Sequence, residues 1–338
     1  MHQITRQKII LGGTSAVLVG LGLSIIFAAG ADKSILWVKQ HIYWPLLHGT
    51  ESVLKDTIFS RFFIFAVGFI LILERLYPVK PDQKTFSIGF RQDSVWLFIG
   101  LIFEGVVAGA YVKGLRAFYY AHLSFISWHA VENFPLIVRF TWGLLLSDCL
   151  AWVQHWLKHK IPWLWQIHTI HHSQREMNMF TDLRLHFLEY VISRSVVIIP
   201  MMMFAVNTPQ IAAYSVFYTW VTRLYHANIK SDFGFLRYIF VTPQSHRIHH
   251  SIEKRHQDKN FGVIFSFWDR LFRTQHENCD EYPETGIEDS SFPLEKETSL
   301  LSLLMVPIKQ LMYPFLVIGR SLVQKRSNSV GRAGRQGL

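Results

Sequence analysis

The chain has 338 residues, half of them apolar, with a mean hydropathy of +0.20 and a formal net charge of +10. That is too apolar for an ordinary soluble domain and supplies enough apolar runs to cross a bilayer repeatedly, so the sequence reads as a membrane protein. Its two cysteines, Cys149 in an apolar segment and Cys279 in a polar one, exclude a disulfide framework and a thiolate metal site. The cationic excess lies in loops beside apolar runs, where lipid headgroups rather than nucleic acid are the partner.

In chain order, the first apolar run reaches about Ala31. It resembles a signal peptide, but it is long enough to span, and Phe27-Ala28-Ala29-Gly30 is a weak cleavage cue, so it reads as a transmembrane helix. Stretches of spanning length recur at roughly 59–77, 94–112 and 136–157, completing a four-helix anchor. Two further runs, 191–206 and 211–225, meet at Asn207-Thr208-Pro209 and predict a membrane hairpin. The run at 300–318 contains Pro307, Lys309 and Pro314 and suits an interfacial or re-entrant helix, while the tail from Gln324 reads as disordered and cationic. Tyr43, Trp44, Trp163, Trp165 and Tyr225 sit near span ends, where an interfacial aromatic belt belongs. Segments 158–187 and 226–338 hold 19 of the 34 Lys and Arg and fall on one side of four spans and a hairpin, which makes that side cytoplasmic. The expected fold is all-α: a polytopic membrane bundle with a cytoplasmic, His-rich helical cap.

Ten of the 17 histidines fall between 155 and 250. His155 and His159 are four apart, so on a helix both rings leave one face about a turn apart. His168, His171 and His172 form a His-x-x-His-His triplet, and His246, His249 and His250 repeat it. His226 follows the hairpin and His186 precedes it, and both are further candidate ligands. Two triplets plus a pair imply two ions, because one ion does not accommodate eight imidazoles. Imidazole suits zinc, copper, iron and nickel alike, but two ions in nearly all-His ligation point to redox chemistry on O2. The first pair lies at a span end, which favours a lipid substrate. Asp148, seven residues before His155 in an apolar span, is expected to orient a ligand imidazole, or else to pair with Gln154 or Arg139. Arg184 and Glu189 flank His186 in a similar capacity, and Asn228 and Asn260 are candidates for loop anchoring. His2, His41, His48, His122, His129, His256 and His276 lack the pattern and read as surface residues.

The segments HWLKH, HTIHH, YHAN and HRIHH, in this order and with a membrane hairpin before the third, resemble the fatty acid hydroxylase and sterol desaturase superfamily over roughly 135–275. The resemblance implies a non-haem di-iron centre, with two iron ions on the cytoplasmic face. It also implies O2 as cosubstrate and oxidation of a C–H bond in a lipid or sterol. By motif, the ligands correspond to His155, His159, His168, His171, His172, His226, His246, His249 and His250. The stretch around Arg184 and His186 is similar to that of alkylglycerol-monooxygenase-like members, with Phe187 where a proline is common, and leans towards hydroxylation rather than desaturation. Bacterial lipid hydroxylases belong to the same superfamily, and a compact multispan chain suits a bacterial inner membrane. No His-Pro-Gly-Gly haem motif is present, so electrons are expected from a separate ferredoxin or cytochrome b5 type donor with its reductase. The implied domains are N-terminal transmembrane helices at 1–134, a di-iron catalytic domain at 135–298, and an interfacial helix with a basic tail at 299–338. The competing readings are a membrane zinc hydrolase, which would work without O2, and a metal transporter, which would carry polar residues along several spans.

Overall fold

The computed structural model describes residues 60–103, 109–294 and 299–333. The expected span at 9–30, the belt residues Tyr43 and Trp44, and His2, His41 and His48 lie outside them. The chain separates into two units, and residues 61–100 with 112–333 form the one described below. It is helical, and the β-pairing recorded among the described residues consists of isolated bridges, Pro78 with Ile229, Phe240 with Phe265 and Ser251 with Thr285.

Ten α-helices carry the architecture: α1 Arg61–Leu76, α2 Ile88–Phe103, α3 Gly109–Phe118, α4 Leu136–Lys160, α5 Pro162–His172, α6 Phe187–Met203, α7 Thr208–His226, α8 Pro243–His249, α9 Phe267–Leu271 and α10 Leu300–Ala333. Among the described residues, two segments, Leu136–Lys160 and Leu300–Gly319, are long and apolar enough to cross a bilayer. α1, at 16 residues, is about 24 Å long and falls short of a full crossing. The run expected at 94–112 begins earlier, at Ile88, and its residues 104–108 are outside the described set. Over 300–318, read from the sequence as an interfacial or re-entrant helix, the chain forms one continuous helix. Pro307 and Pro314 sit inside α10, which runs on to Ala333 where a disordered tail was expected from Gln324.

The hairpin of α6 and α7 turns at 204–207 and packs on α4. Gly143 makes room for it: a Cβ there would lie 2.9 Å from the Met201 sulfur and 3.4 Å from its Cα. Further along, Ser147 Oγ donates to the Val197 carbonyl at 3.0 Å, and Gln154 Nε2 reaches Ser193 Oγ at 3.4 Å. Lys158 Nζ meets Glu189 Oε1 at 2.7 Å. The numbering rises along α4 as it falls along α6, so the two helices are antiparallel. Val197, Met201, Phe204, Val206 and Tyr214 form the apolar core of this contact with Phe140 and Leu144. At the far end Arg139 donates to the Ala205 carbonyl at 2.5 Å and ties the tip to α4.

Of the remaining expected belt, Trp163 is exposed, but Tyr225 is only 3% exposed and packs on His246 with ring centroids 4.3 Å apart. Its neighbour His226 draws it into the site, so Tyr225 is not an interfacial anchor.

Candidate metal centre

Local chemistry delivers each histidine. α4 ends because Ile161, preceding Pro162, is driven extended (φ −98°, ψ 115°). The same proline suits the first turn of a new helix. The corner sets His168, His171 and His172 of α5 against His155 and His159 of α4. α7 ends on His226. α8 starts at a capping box in which Thr242 and Ser245 bond each other's backbone N–H, with Pro243 in the first turn. It carries His246 and His249, and His250 follows at its C-cap.

These nine imidazoles form two groups. His155, His159, His168, His172 and His249 make one, and His171, His226, His246 and His250 the other, with the ligand atoms of each group within 4.8 Å of one another. Both triplets are divided. In each, the residues four apart stay together, 168 with 172 and 246 with 250, while His171 and His249 cross to the opposite group. The groups adjoin: the His172 and His250 rings stack with centroids 4.3 Å apart.

Backbone and carboxylate acceptors fix where the ring protons are. His155 Nδ1 bonds the Phe261 carbonyl at 2.9 Å, His249 Nδ1 the Lys259 carbonyl at 2.8 Å, and His226 Nδ1 the Thr222 carbonyl at 2.7 Å. His168 Nδ1 bonds Glu189 Oε1 at 2.8 Å. A neutral ring that donates from Nδ1 has only a lone pair at Nε2. Yet Nε2 of His155 is 3.1 Å from Nε2 of His168, and Nε2 of His226 is 2.8 Å from Nε2 of His246. The first pair is lone pair against lone pair. Nε2 of His159 and of His249 are buried with no hydrogen-bond partner. A cation about 2.1 Å from two nitrogens at a right angle holds them about 3.0 Å apart. The residues present therefore fit two neighbouring imidazole-bound metal ions.

Burial keeps the ligands unprotonated. It pushes His171, His172, His246 and His250 well below the usual imidazole range, helped by the neighbouring rings, and takes His249 down to about 3. For His168 burial also lowers the value, against the opposing pull of Glu189. The linkage has a definite sign. The unfolded rings take up protons below about pH 6.5, the folded rings refuse them, and stability present above that pH is lost as pH falls toward the folded values. Each ring that stays neutral contributes about 1.4 kcal/mol per pH unit. Thermal unfolding in detergent should therefore show a midpoint that drops steeply between pH 7 and pH 5. An unchanged midpoint would contradict the buried neutral cluster.

The loop after the second triplet supplies two of the four acceptors. Asn260 sits between Lys259 and Phe261 at φ 57°, a left-handed conformation that asparagine tolerates. Its Nδ2 donates to the Ser245 carbonyl at 2.8 Å and its Oδ1 accepts from His276 N at 2.8 Å. Asp269 accepts from the N–H groups of Phe261 and Gly262, each at 2.8 Å, and from the Trp152 indole at 2.9 Å.

Asp148 has a different part from the one expected. It bonds neither an imidazole nor Gln154 nor Arg139. Its carboxylate accepts from Ile264 N and Phe265 N at 3.0 Å each and from the Trp268 indole at 2.9 Å, so it fastens the same loop to α4. His186 belongs to neither group. It caps α6, its Nδ1 accepting from Leu188 N at 3.2 Å, and its ring packs on Phe187. Of its two flanking charges, Glu189 turns to His168 and Lys158, and the wholly buried Arg184 pairs with Asp93 and donates to Ser173 Oγ at 3.0 Å, directly after the first triplet. Asn228, like Met179, presents its backbone N–H to the buried Glu74.

His122 and His129 are exposed, but His256 is buried and bonds Ser251 Oγ and Glu281. It forms a third group with His276 and Glu281, whose carboxylate is already engaged by Arg255 and Asn278.

Residues 140–274 match the family Fatty acid hydroxylase. The ornithine lipid hydroxylase OlsE of Rhizobium tropici is 25% identical over 221 residues, covering 64% of this chain and 67% of that protein. The alkylglycerol monooxygenases of Caenorhabditis elegans and Danio rerio are 28% and 33% identical over 165 and 155 residues. These alignments cover 48% and 44% of this chain, and only 32% and 33% of the two monooxygenases. No solved structure matches the chain.

Proposed function

We propose that this chain carries a fatty acid hydroxylase domain and is an integral membrane lipid hydroxylase that holds two iron ions between the nine histidines. The observation that carries the reading is the pair of adjoining imidazole groups whose Nε2 atoms face one another at metal-ligand spacing, those of His155 and His168 both without a proton. The relatives, an ornithine lipid hydroxylase and alkylglycerol monooxygenases, support a lipid substrate with a polar headgroup. Iron in such a site supplies the activation of O2, with electrons from a separate donor protein.

The chain's own residues do the rest. His155, His159, His168, His172 and His249 hold one ion, and His171, His226, His246 and His250 the other. Glu189 and the carbonyls of Lys259, Phe261 and Thr222 keep four rings in the tautomer that leaves Nε2 bare. Burial excludes water from the ligand shell: every one of the nine rings except His159 belongs to a residue under 9% exposed. α4 places the centre at the end of a candidate span, within reach of a lipid held in the bilayer. The basic segments 158–187 and 226–273, on either side of the α6–α7 hairpin, support the cytoplasmic side for that end.

The test is expression in a host that lacks the activity, with lipids extracted after growth under 18O2. The expected result is a lipid heavier by one labelled oxygen atom and purified protein containing about two irons per chain. Loss of two hydrogens without oxygen gain would make the enzyme a desaturase. A lipid change that persists without O2, with zinc in the protein, would overturn the oxygenase reading in favour of metal-assisted hydrolysis.

A further inference from the structure

We propose that one edge of the histidine cap, formed by residues 234–240 and 266–272, lies in the hydrocarbon of a bilayer leaflet and contacts acyl chains, although neither segment is long enough to span. The inference rests on the reading of α4 as a membrane span. α4 has 25 residues and Asp148 is its central one. At 1.5 Å per residue the helix is about 36 Å long, with Asp148 about 18 Å and Trp152 about 24 Å from its start. The hydrocarbon layer is about 30 Å thick. With that layer over the apolar part of an upright α4, from its start at Leu136, the levels of both residues fall inside it.

Those are the levels at which the cap is fastened. Asp148 holds the N–H groups of Ile264 and Phe265 and the Trp268 indole at 2.9–3.0 Å. Trp152 donates to Asp269 at 2.9 Å, and its ring lies 4.3 Å from that of Phe272. Direct hydrogen bonds leave only a few ångströms between partners, so residues 264–272 share the depth of α4's central turns.

The outward surface at that depth is apolar. Phe235 is 76% exposed, Leu271 65%, Tyr238 56% and Phe272 42%. In water exposed side chains of this kind are an association liability; against acyl chains they are matched to their solvent. The backbone meets the condition lipid imposes on non-helical chain, that its polar groups be satisfied within the protein. Val241 N donates to the Ile264 carbonyl and Ser266 N to the Ile239 carbonyl, each at 2.9 Å. The Arg270 guanidinium donates to the carbonyls of Tyr238 and Arg237 at 3.0 and 3.1 Å, and Arg237 itself pairs with Asp232.

The experiment uses the full chain in phosphatidylcholine vesicles, with Cys149→Ala and Cys279→Ser, and single cysteines at Leu271, Phe235, Ile137 or Lys254 labelled with the environment-sensitive fluorophore NBD. Ile137, exposed on α4, reports the span, and Lys254, exposed on the cap, reports water. The unfolding midpoint of each unlabelled variant shows that the fold is kept. The expected result is that the Leu271 and Phe235 probes match the Ile137 probe in blue-shifted emission, in quenching by brominated acyl chains and in protection from iodide. If they match Lys254 while Ile137 reports lipid, the embedded edge is refuted and the span stands. A probe that is dry yet unquenched by bromine would assign the patch to a protein contact and also refute the proposal. Should Ile137 itself report water, the span reading and the proposal fall together.

Discussion

His171→Ala and His249→Ala, one from each imidazole group, are each expected to reduce lipid oxidation to background. His249 is one of five nitrogen donors in its group and His171 one of four. Both are residues that cross from their own triplet to the opposite ion, so each deletion also cuts a link between the two ions. On the proposed two-ion reading, loss of either ion would disable a site that works as a pair, so the double variant should be no worse than either single one, the non-additivity expected of residues that act as a unit. Iron per chain should fall from about two to about one or fewer in each single variant. His129→Ala is the control, because that ring is exposed and bonds only Glu132 at 2.6 Å. Full activity in either ligand variant, with the control also active, would remove that residue from the metal set.

Glu189→Ala is expected to damage stability and metal affinity by two separable routes. One carboxylate oxygen, Oε1, receives both His168 Nδ1 at 2.8 Å and Lys158 Nζ at 2.7 Å, and both Glu189 and Lys158 are buried. Removing the carboxylate strands a buried ammonium, which typically costs about 3–5 kcal/mol. It also frees His168 to change tautomer, and loss of such an outer partner typically costs about 10–100-fold in metal affinity. The double variant Lys158→Met, Glu189→Ala separates the two. It should recover much of the lost unfolding free energy, because no unpaired charge remains, while competition with a chelator should still show the weakened metal. If the double variant regained affinity as well, Glu189 would act only through the ion pair.

Much of the centre was legible from spacing, because helical spacing is a local property. Four residues make about one turn, so His155 with His159, His168 with His172, and His246 with His250 face the same way in any helix that forms. The hairpin was legible for a similar reason: two apolar runs joined at a proline-containing turn gave α6 and α7 to within a few residues. The outer acceptors were mostly illegible. A backbone carbonyl leaves no residue-type signal, so nothing in the letters marked Phe261, Lys259 or Thr222. Glu189 did leave one, as a carboxylate at the start of an apolar run, but proximity in sequence assigned it to His186 instead of His168. Asp148 was set against near neighbours on the same ground rather than the loop at 264–268, and His186, a candidate ligand by sequence, lies in neither group and caps α6.

What the sequence determined alone is the supply of nine imidazoles in short segments beside an apolar run, and which of them share a helix face. What only the tertiary structure decided is the division of those imidazoles. Whether His171 joins His172 or His226 depends on how α5, α7 and α8 cross, which is set by contacts between residues as far apart as Asp148 and Trp268. Side-chain packing and backbone hydrogen bonds at that range carry no periodicity, and a one-dimensional pattern contains no term for them.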